Sequence, residues 1–183
     1  MLFLTVKGRE FLNEETMEII DAPTQILKLE HSLLSISTWE SIWHKPYFSE
    51  KDKTAEELLS YIKCMTINRN QVNPIVFQCL TKEHIMKIKD YIDNPMTATT
   101  FSKRVDEQKQ TKKEIITAEI IYYWMISAQI PLECEKWHIN RLMTLIKVFG
   151  IKNAPKKKIG KGQLTKRNAA MNAANRKRMH SKG

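Results

Sequence analysis

SLLSISTWESIWHKPYF, residues 32–48, is the stretch in which the spacing of apolar residues changes from that of strands to that of a helix. Apolar residues recur in it at intervals of three and four, at Leu33, Ile36, Trp39 and Trp43. This is the pattern of one buried helix face. His44-Lys45-Pro46 predicts the end of the helix, because the residue before a proline disfavours helical geometry. The stretch therefore separates a strand-like segment, residues 1–31, from a helical domain.

Short apolar runs and turn residues alternate in residues 1–31. The runs are Leu2 to Val6, Thr16 to Ile20, and Ile26 to Leu29. Lys7-Gly8-Arg9 and Asp21-Ala22-Pro23 lie between them and predict turns. Such alternation is typical of a small antiparallel β-sheet or hairpin.

Residues 32–151 predict a helical bundle. Capping signals open three further helices, at Thr54 with Glu57, at Asn73 before Pro74, and at Thr81. We predict that Lys113 to Gln129 is the central buried helix, because its middle is apolar almost all round. Glu133 to Phe149 is amphipathic, and Gly150 predicts its end.

The net charge of this 183-residue chain, +10, is concentrated at one end. Residues 152–183 hold eleven of the 30 Lys and Arg residues and no Asp or Glu. Residues 1–151 carry 19 basic and 20 acidic side chains. We therefore predict an α+β, mainly α body of nearly neutral charge, followed by a basic tail, residues 152–183, that is helical or disordered.

Residues that could perform chemistry are few and scattered. Cys134 and His138 lie four residues apart, a spacing that could present two metal ligands or a thiol–imidazole pair. Burial of Cys134 in the core, with His138 at its border, is the interpretation we favour. We therefore expect a protein that is not an enzyme, with no catalytic residue, no metal and no cofactor.

Cysteine usage and hydropathy predict a soluble intracellular protein. The three cysteines include no C-x-x-C pair and indicate reduced thiols. The longest strongly apolar block, residues 120–126, is far below the roughly 18 residues that a membrane span needs. The short apolar run at the N-terminus does not predict a signal peptide, and we expect no membrane partner.

Two features are candidates for binding a partner. The first is an aromatic cluster, in which core packing is favoured over a protein interface, at Trp39, Trp43, Tyr47 and Phe48. The second is the basic tail, whose contact residues would be Lys156, Lys157, Lys158, Lys161, Lys166, Arg167, Arg176, Lys177 and Arg178. Without aromatic residues, the tail could bind phosphate polymers only with weak sequence preference. A protein partner and a solvated end without a partner are the other interpretations.

Several stretches together resemble a family of small proteins of tailed bacteriophages, the tail assembly chaperones. The stretches are LEHSLLSISTWESIWHKPYF, YIKCMT, NPMTATTFS, KEIITAEIIYYWMI and IPLECEKWHINRLMTLIKVFGIKNAPKKK. The resemblance spans about residues 27–183 and includes the basic tail. It implies a non-enzymatic morphogenesis factor, active in the host cytoplasm, that binds the tape-measure protein and recruits tail-tube subunits. It also implies a homo-oligomer.

Two other functions remain open at this point. The resemblance also permits a structural protein that is retained in the virion. A small nucleic-acid-binding protein, which would contact nonspecific nucleic acid through the tail, is the function of a different class.

Overall fold

The computed structural model describes residues 1–13, 18–49, 53–101, 115–154 and 161–179. The chain forms two compact units, Met1–Phe149 and Gly150–Gly183. Helices predominate, and an antiparallel β-ribbon lies at the N-terminus. The predicted α+β, mainly α class is therefore confirmed.

The N-terminal ribbon consists of two nested antiparallel ladders. Its strands are β1 (Leu2–Val6), β2 (Glu10–Asn13), β3 (Glu18–Asp21) and β4 (Gln25–Leu29). β1 pairs with β4, and β2 pairs with β3. Leu4, Val6, Leu27 and Leu29 alternate with exposed residues and bury one face of the β1–β4 ladder. The sequence analysis did not predict β2, and residues 16 and 17 of the predicted second run lie outside the described residues.

Lys7-Gly8-Arg9, where the sequence predicted a turn, does not reverse the chain. The three residues instead connect β1 to β2, two strands on the same side of the ribbon. A Cβ atom at Gly8 would lie 1.9 Å from the carbonyl oxygen of Ala22. Glycine is therefore required at this position, because the connection between β3 and β4 passes too close for a side chain.

Helix α1 (Leu33–Trp43) spans the predicted apolar residues and ends before His44, as predicted. The Ser32 hydroxyl accepts a hydrogen bond from the Ser35 N–H, which satisfies one of the free donors at the helix start. His44 ends the helix in the left-handed conformation, with a φ of 53°. Its buried residues are Leu33, Ser35, Ile36, Trp39 and Glu40.

The middle of the chain also follows its capping signals. Helix α2 (Ala55–Met65) opens with the Thr54–Glu57 capping box, and α3 (Lys82–Asp93) opens with Thr81. Between them lie two short 3-10 helices, Arg69–Gln71 and Pro74–Cys79. The second begins where Asn73 accepts a hydrogen bond from the Ile75 N–H, as the Asn-Pro pair predicted.

Helix α4 (Ala118–Ser127) is not the central buried helix that the sequence predicted. Only Ala118, Ile121 and Met125 are buried in it. The side chain of Tyr123 is 67% exposed and that of Ile126 is 66% exposed. Tyr122 and Trp124 are only partly buried against the core. The central position belongs instead to α1, which α4 contacts.

The predicted helix from Glu133 to Phe149 is divided in the structure. A 3-10 helix, Leu132–Lys136, comes first, and α5 (Ile139–Asn153) follows it. α5 continues through Gly150, so the predicted end at that residue is wrong, and the predicted domain boundary falls inside α5.

The basic tail contains α6 (Lys161–Met179), a helix of 19 residues. Its described side chains, at Gly162 and from Thr165 to Met179, are all exposed. In the part of the chain that the structure describes, no helix combines the length and apolarity of a membrane span.

Candidate partner-binding site

The structure places the two tryptophans of the predicted aromatic cluster between α1 and α2. Trp39 is fully buried, and its indole N–H donates to the carbonyl oxygen of Glu57 at 3.0 Å. Trp43 is half-buried, and its indole N–H donates to the Ser60 hydroxyl at 3.0 Å. Both side chains therefore hold the two helices together.

The chain after α1 brings the other two members of the cluster to different depths. The Tyr47 ring is 9% exposed and lies 4.4 Å from the Tyr61 ring, measured between centroids. Phe48 is 42% exposed and packs edge-on against Tyr47. Trp39 and Tyr47 are thus core residues, inaccessible to a partner, and Phe48 with part of Trp43 remains on the surface. Tryptophans four residues apart fit a core and an interface equally well, which is why spacing could not decide.

Glu40 fixes the position of the segment that carries Phe48. Its carboxylate accepts a hydrogen bond from the Tyr47 N–H at 2.7 Å through Oε1. Through Oε2 it accepts another from the Ala118 N–H at 2.8 Å, at the first turn of α4. A negative group at a helix N-terminus is favourable, because the first N–H groups of a helix lack partners within it.

Cys134 and His138 do not form a site. Cys134 is buried in the 3-10 helix, whereas His138 lies between that helix and α5, so the two are not on one helix face. The His138 ring donates from Nε2 to the Tyr91 carbonyl oxygen at 3.0 Å and accepts at Nδ1 from the Asn140 N–H at 3.3 Å. Both ring nitrogens are therefore used by the fold. No group of three or more potential metal ligands occurs among the described residues.

His138 belongs instead to a buried pair with His31. The two rings lie 5.1 Å apart, and His31 shares a hydrogen bond with the Tyr61 hydroxyl. Burial, together with the smaller effects of the nearby His138 and Lys53, lowers the pKa of His31 from 6.5 to about 3. Burial also lowers the pKa of His138, against the opposing effect of its bond to Tyr91. Both imidazoles are neutral at pH values near 7 and serve the core.

The basic residues of the tail lie on α6 where the structure describes them. The exposed cations are Lys166, Arg167, Arg176, Lys177 and Arg178. Lys161 opens the helix. Lys156, Lys157 and Lys158 lie outside the described residues. At 3.6 residues per turn, the five exposed cations span an arc of about 200° around the helix axis, and Asn168, Asn172 and Asn175 lie in the remaining sector.

A concave surface that the sequence did not indicate lies between α1 and the segment after α2. We call it the Ile67 groove, and its volume is about 480 Å³. Its apolar and charged lining residues are Leu34, Met65, Ile67, Glu30, Arg69 and Lys136, with Cys64 and four hydroxyl side chains between them. Three separate segments contribute to it, so no local spacing of residues could have predicted it.

The comparisons with known proteins leave the site to be interpreted from its own geometry. Neither family models, nor curated proteins, nor solved structures include a match to this chain.

Proposed function

We propose that the protein is a non-enzymatic assembly factor of phage tails, which binds the tape-measure protein and recruits tail-tube subunits. The observation that carries this proposal is α6, a 19-residue helix whose described side chains are all exposed. The identity of the partners comes from the resemblance of the sequence to tail assembly chaperones.

The physical argument begins with the stability of α6. Helices in proteins are stabilised mainly by packing of an apolar face. The apolar side chains that the structure describes on α6 are small or isolated, and all are exposed: Ala169, Ala170, Met171, Ala173, Ala174 and Met179. A binding partner would supply the missing contacts, as in segments that fold on their partners. Since the charges of α6 are all basic, the complementary surface of the partner is acidic.

Co-expression with the tape-measure protein tests the proposal. In the tail variant, Lys166, Arg167, Arg176, Lys177 and Arg178 become Gln. In the control variant, the same number of exposed cations outside the tail become Gln, at Lys7, Lys28, Lys82, Lys87 and Lys89. Both variants have the same net charge, so a difference between them reports the position of the charge and not its amount.

We expect the wild-type chain and the control variant to raise the soluble fraction of the tape-measure protein and to co-purify with it. The tail variant should lose most of this effect. If the two variants raise the soluble fraction equally, α6 is not needed for the effect. If the tape-measure protein does not co-purify with the wild-type chain, the proposed chaperone function is wrong. Abundant copies of the protein in purified virions would favour the retained structural protein over an assembly factor that leaves.

Nucleic-acid binding is the second candidate function, and the distribution of cations around α6 favours it. A helix whose cations spread over a wide arc can contact phosphates in several orientations. The same two variants separate this function from the first. Wild-type affinity for random-sequence duplex DNA should fall steeply with salt, and the tail variant should not bind, while the control variant should.

A further inference from the structure

We propose that the Ile67 groove is the docking site for a partner segment that carries apolar side chains next to carboxylates. The inference rests on the proposed function only in requiring a protein partner. It adds a contact on the main unit of the chain to the one proposed for the basic tail.

The apolar part of the groove contains two exposed aliphatic side chains. Ile67 is 57% exposed and Leu34 is 45% exposed, and the buried Met65 also lines the groove. Burial of exposed aliphatic side chains favours binding, because it removes apolar surface from water. A partner residue that enters the groove would cover Ile67 and Leu34 together, which is the geometry of an anchor residue in a pocket.

The charges around the groove favour an acidic partner. Arg69 and Lys136 line it, and among the described residues neither belongs to an ion pair. The acidic lining residue, Glu30, is already paired with the N-terminal ammonium at 2.8 Å and accepts a hydrogen bond from the Tyr91 hydroxyl. The acidic sequence neighbours of Lys136, Glu133 and Glu135, do not line the groove. Carboxylates of a partner would therefore meet two cations and no unpaired anion.

The wall of the groove is held in place before any partner arrives. The segment after α2 runs along β4, where the Glu30 N–H donates to Met65 and the Ile67 N–H donates to Lys28. The Asn68 side chain forms two hydrogen bonds with the backbone of β4. It donates to the Ile26 carbonyl oxygen and accepts from the Lys28 N–H, each at 3.0 Å. A preformed wall lowers the entropic cost of binding.

The combination of apolar wall and cationic rim selects one class of occupant. A nucleic acid or a free phosphate would satisfy Arg69 and Lys136 but would leave Ile67 and Leu34 in water. A purely apolar segment would leave the two cations without partners. An amphipathic acidic segment satisfies both, and it is the kind of segment that a long helical partner presents repeatedly.

A titration of the full-length, isotope-labelled chain with defined peptides tests the proposal by nuclear magnetic resonance. The probe is a synthetic peptide of about 14 residues with Leu at helical spacing and Glu elsewhere. One control peptide keeps Leu and replaces Glu by Lys, and the other keeps Glu and replaces Leu by Ala. We expect the Leu–Glu peptide to shift the backbone signals of Leu34, Ile67, Arg69 and Lys136. The Ala–Glu peptide should shift signals of α6 only.

Substitutions then assign the binding energy to the groove. Ile67→Glu and Leu34→Glu each place a carboxylate against the incoming acidic segment, and each should weaken binding of the Leu–Glu peptide by about tenfold or more. Met86→Glu is the matched control, because Met86 is 65% exposed on α3 and does not line the groove. It should change the affinity by less than about twofold. Thermal unfolding of the three variants verifies that each is folded.

The outcomes separate this inference from the proposed function. If the Leu–Glu peptide shifts only α6, or if Met86→Glu weakens binding as much as Ile67→Glu, the groove is not the docking site. If the groove binds the peptide but the wild-type chain does not co-purify with the tape-measure protein, the groove stands and the proposed partner is wrong. If Ile67→Glu co-purifies with the tape-measure protein as well as the wild-type chain does, the chaperone function stands without the groove.

Discussion

Glu40 is 8% exposed, and both of its carboxylate oxygens accept backbone N–H groups from other parts of the chain. One donor, Tyr47, belongs to the segment after α1, and the other, Ala118, belongs to the first turn of α4. A single side chain on the central helix thus positions two neighbouring segments. Thr117, the residue before α4, provides no side-chain cap, so Glu40 takes that role from a distance in the sequence.

We predict that Glu40→Gln destabilises the protein by about 1–3 kcal/mol, because an amide has one oxygen and leaves a buried N–H without an acceptor. Glu40→Ala should cost at least as much. Urea unfolding measures both, with Glu10→Gln as the control at an exposed position of β2. A free energy of unfolding for Glu40→Gln equal to that of the control would show that one of the two bonds contributes nothing.

The same residue illustrates what the sequence could and could not predict at this scale. Nothing in the spacing of Glu40 distinguishes it from a solvent-exposed glutamate on α1. Its role depends on Tyr47 and Ala118, and the second is 78 residues away. In contrast, the caps at Thr54 and Thr81 act within three residues, and the sequence predicted both correctly.

At the scale of elements, β4 is paired along both of its edges. β1 pairs with one edge, and the segment from Met65 to Asn68 covers the other. An uncovered edge is a site of unwanted pairing between chains. At the end of this segment the side chain of Asn68, rather than its backbone, forms the hydrogen bonds to β4.

We predict that Asn68→Ala lowers the free energy of unfolding by about 1–2 kcal/mol, because it removes two hydrogen bonds, each contributing about 0.5–1.5 kcal/mol. Asn68→Asp keeps the acceptor for the Lys28 N–H and loses the donor to the Ile26 carbonyl oxygen. It should therefore lower the free energy of unfolding by less than Asn68→Ala does. Asn70→Ala, an exposed neighbour, is the control in the same denaturant titration. An effect of Asn68→Ala no larger than that of Asn70→Ala would contradict the prediction.

Element boundaries followed from the sequence wherever a local signal fixed them. α1 and α2 have capping residues at both predicted starts, and their bounds are close to the predictions. α4 had only hydrophobicity, which indicates a helix but does not say how much of it is covered. The exposed Tyr123 and Ile126 show that hydrophobicity all round was a poor measure of centrality in this chain. The Ile67 groove is formed by three separate segments of the chain, so no local signal could predict it.

At the scale of the whole molecule, the buried histidine pair links stability to pH. His31 is 2% exposed and is faced by His138, Tyr47, Tyr61 and Lys53. Its pKa is lower in the folded chain than in the unfolded chain. Below pH 6.5 the unfolded chain therefore binds more protons than the folded chain, and acid favours unfolding.

We predict that the free energy of unfolding falls as the pH is lowered from 6.5 towards 3, the two pKa values of His31. The slope from this residue is at most about 1.4 kcal/mol per pH unit, and His138 adds to it in the same direction. The pKa of Glu57 is lowered by its bond to Lys45, so this carboxylate contributes a loss only at more acidic pH, below its ordinary 4.5.

Urea titrations at several pH values measure this slope in the wild-type chain and in His31→Gln. The variant should be less stable near pH 7 and should show a shallower decline between pH 6.5 and pH 4.5. Equal slopes for the two chains in that interval would show that His31 does not titrate between its folded and unfolded values.

The bond between the His31 carbonyl oxygen and the Ile139 N–H, at 2.7 Å, also bears on how the chain is made. The strand–helix junction that contains His31 is synthesised before the residue that completes its hydrogen bonds, which comes more than a hundred positions later. Until then the junction lacks a partner, and the apolar residues of α1 lack part of their cover. The nascent chain thus has an unfinished core while the residues between these two positions are translated. Slow translation between these two positions would prolong its exposure to misfolding and to proteases.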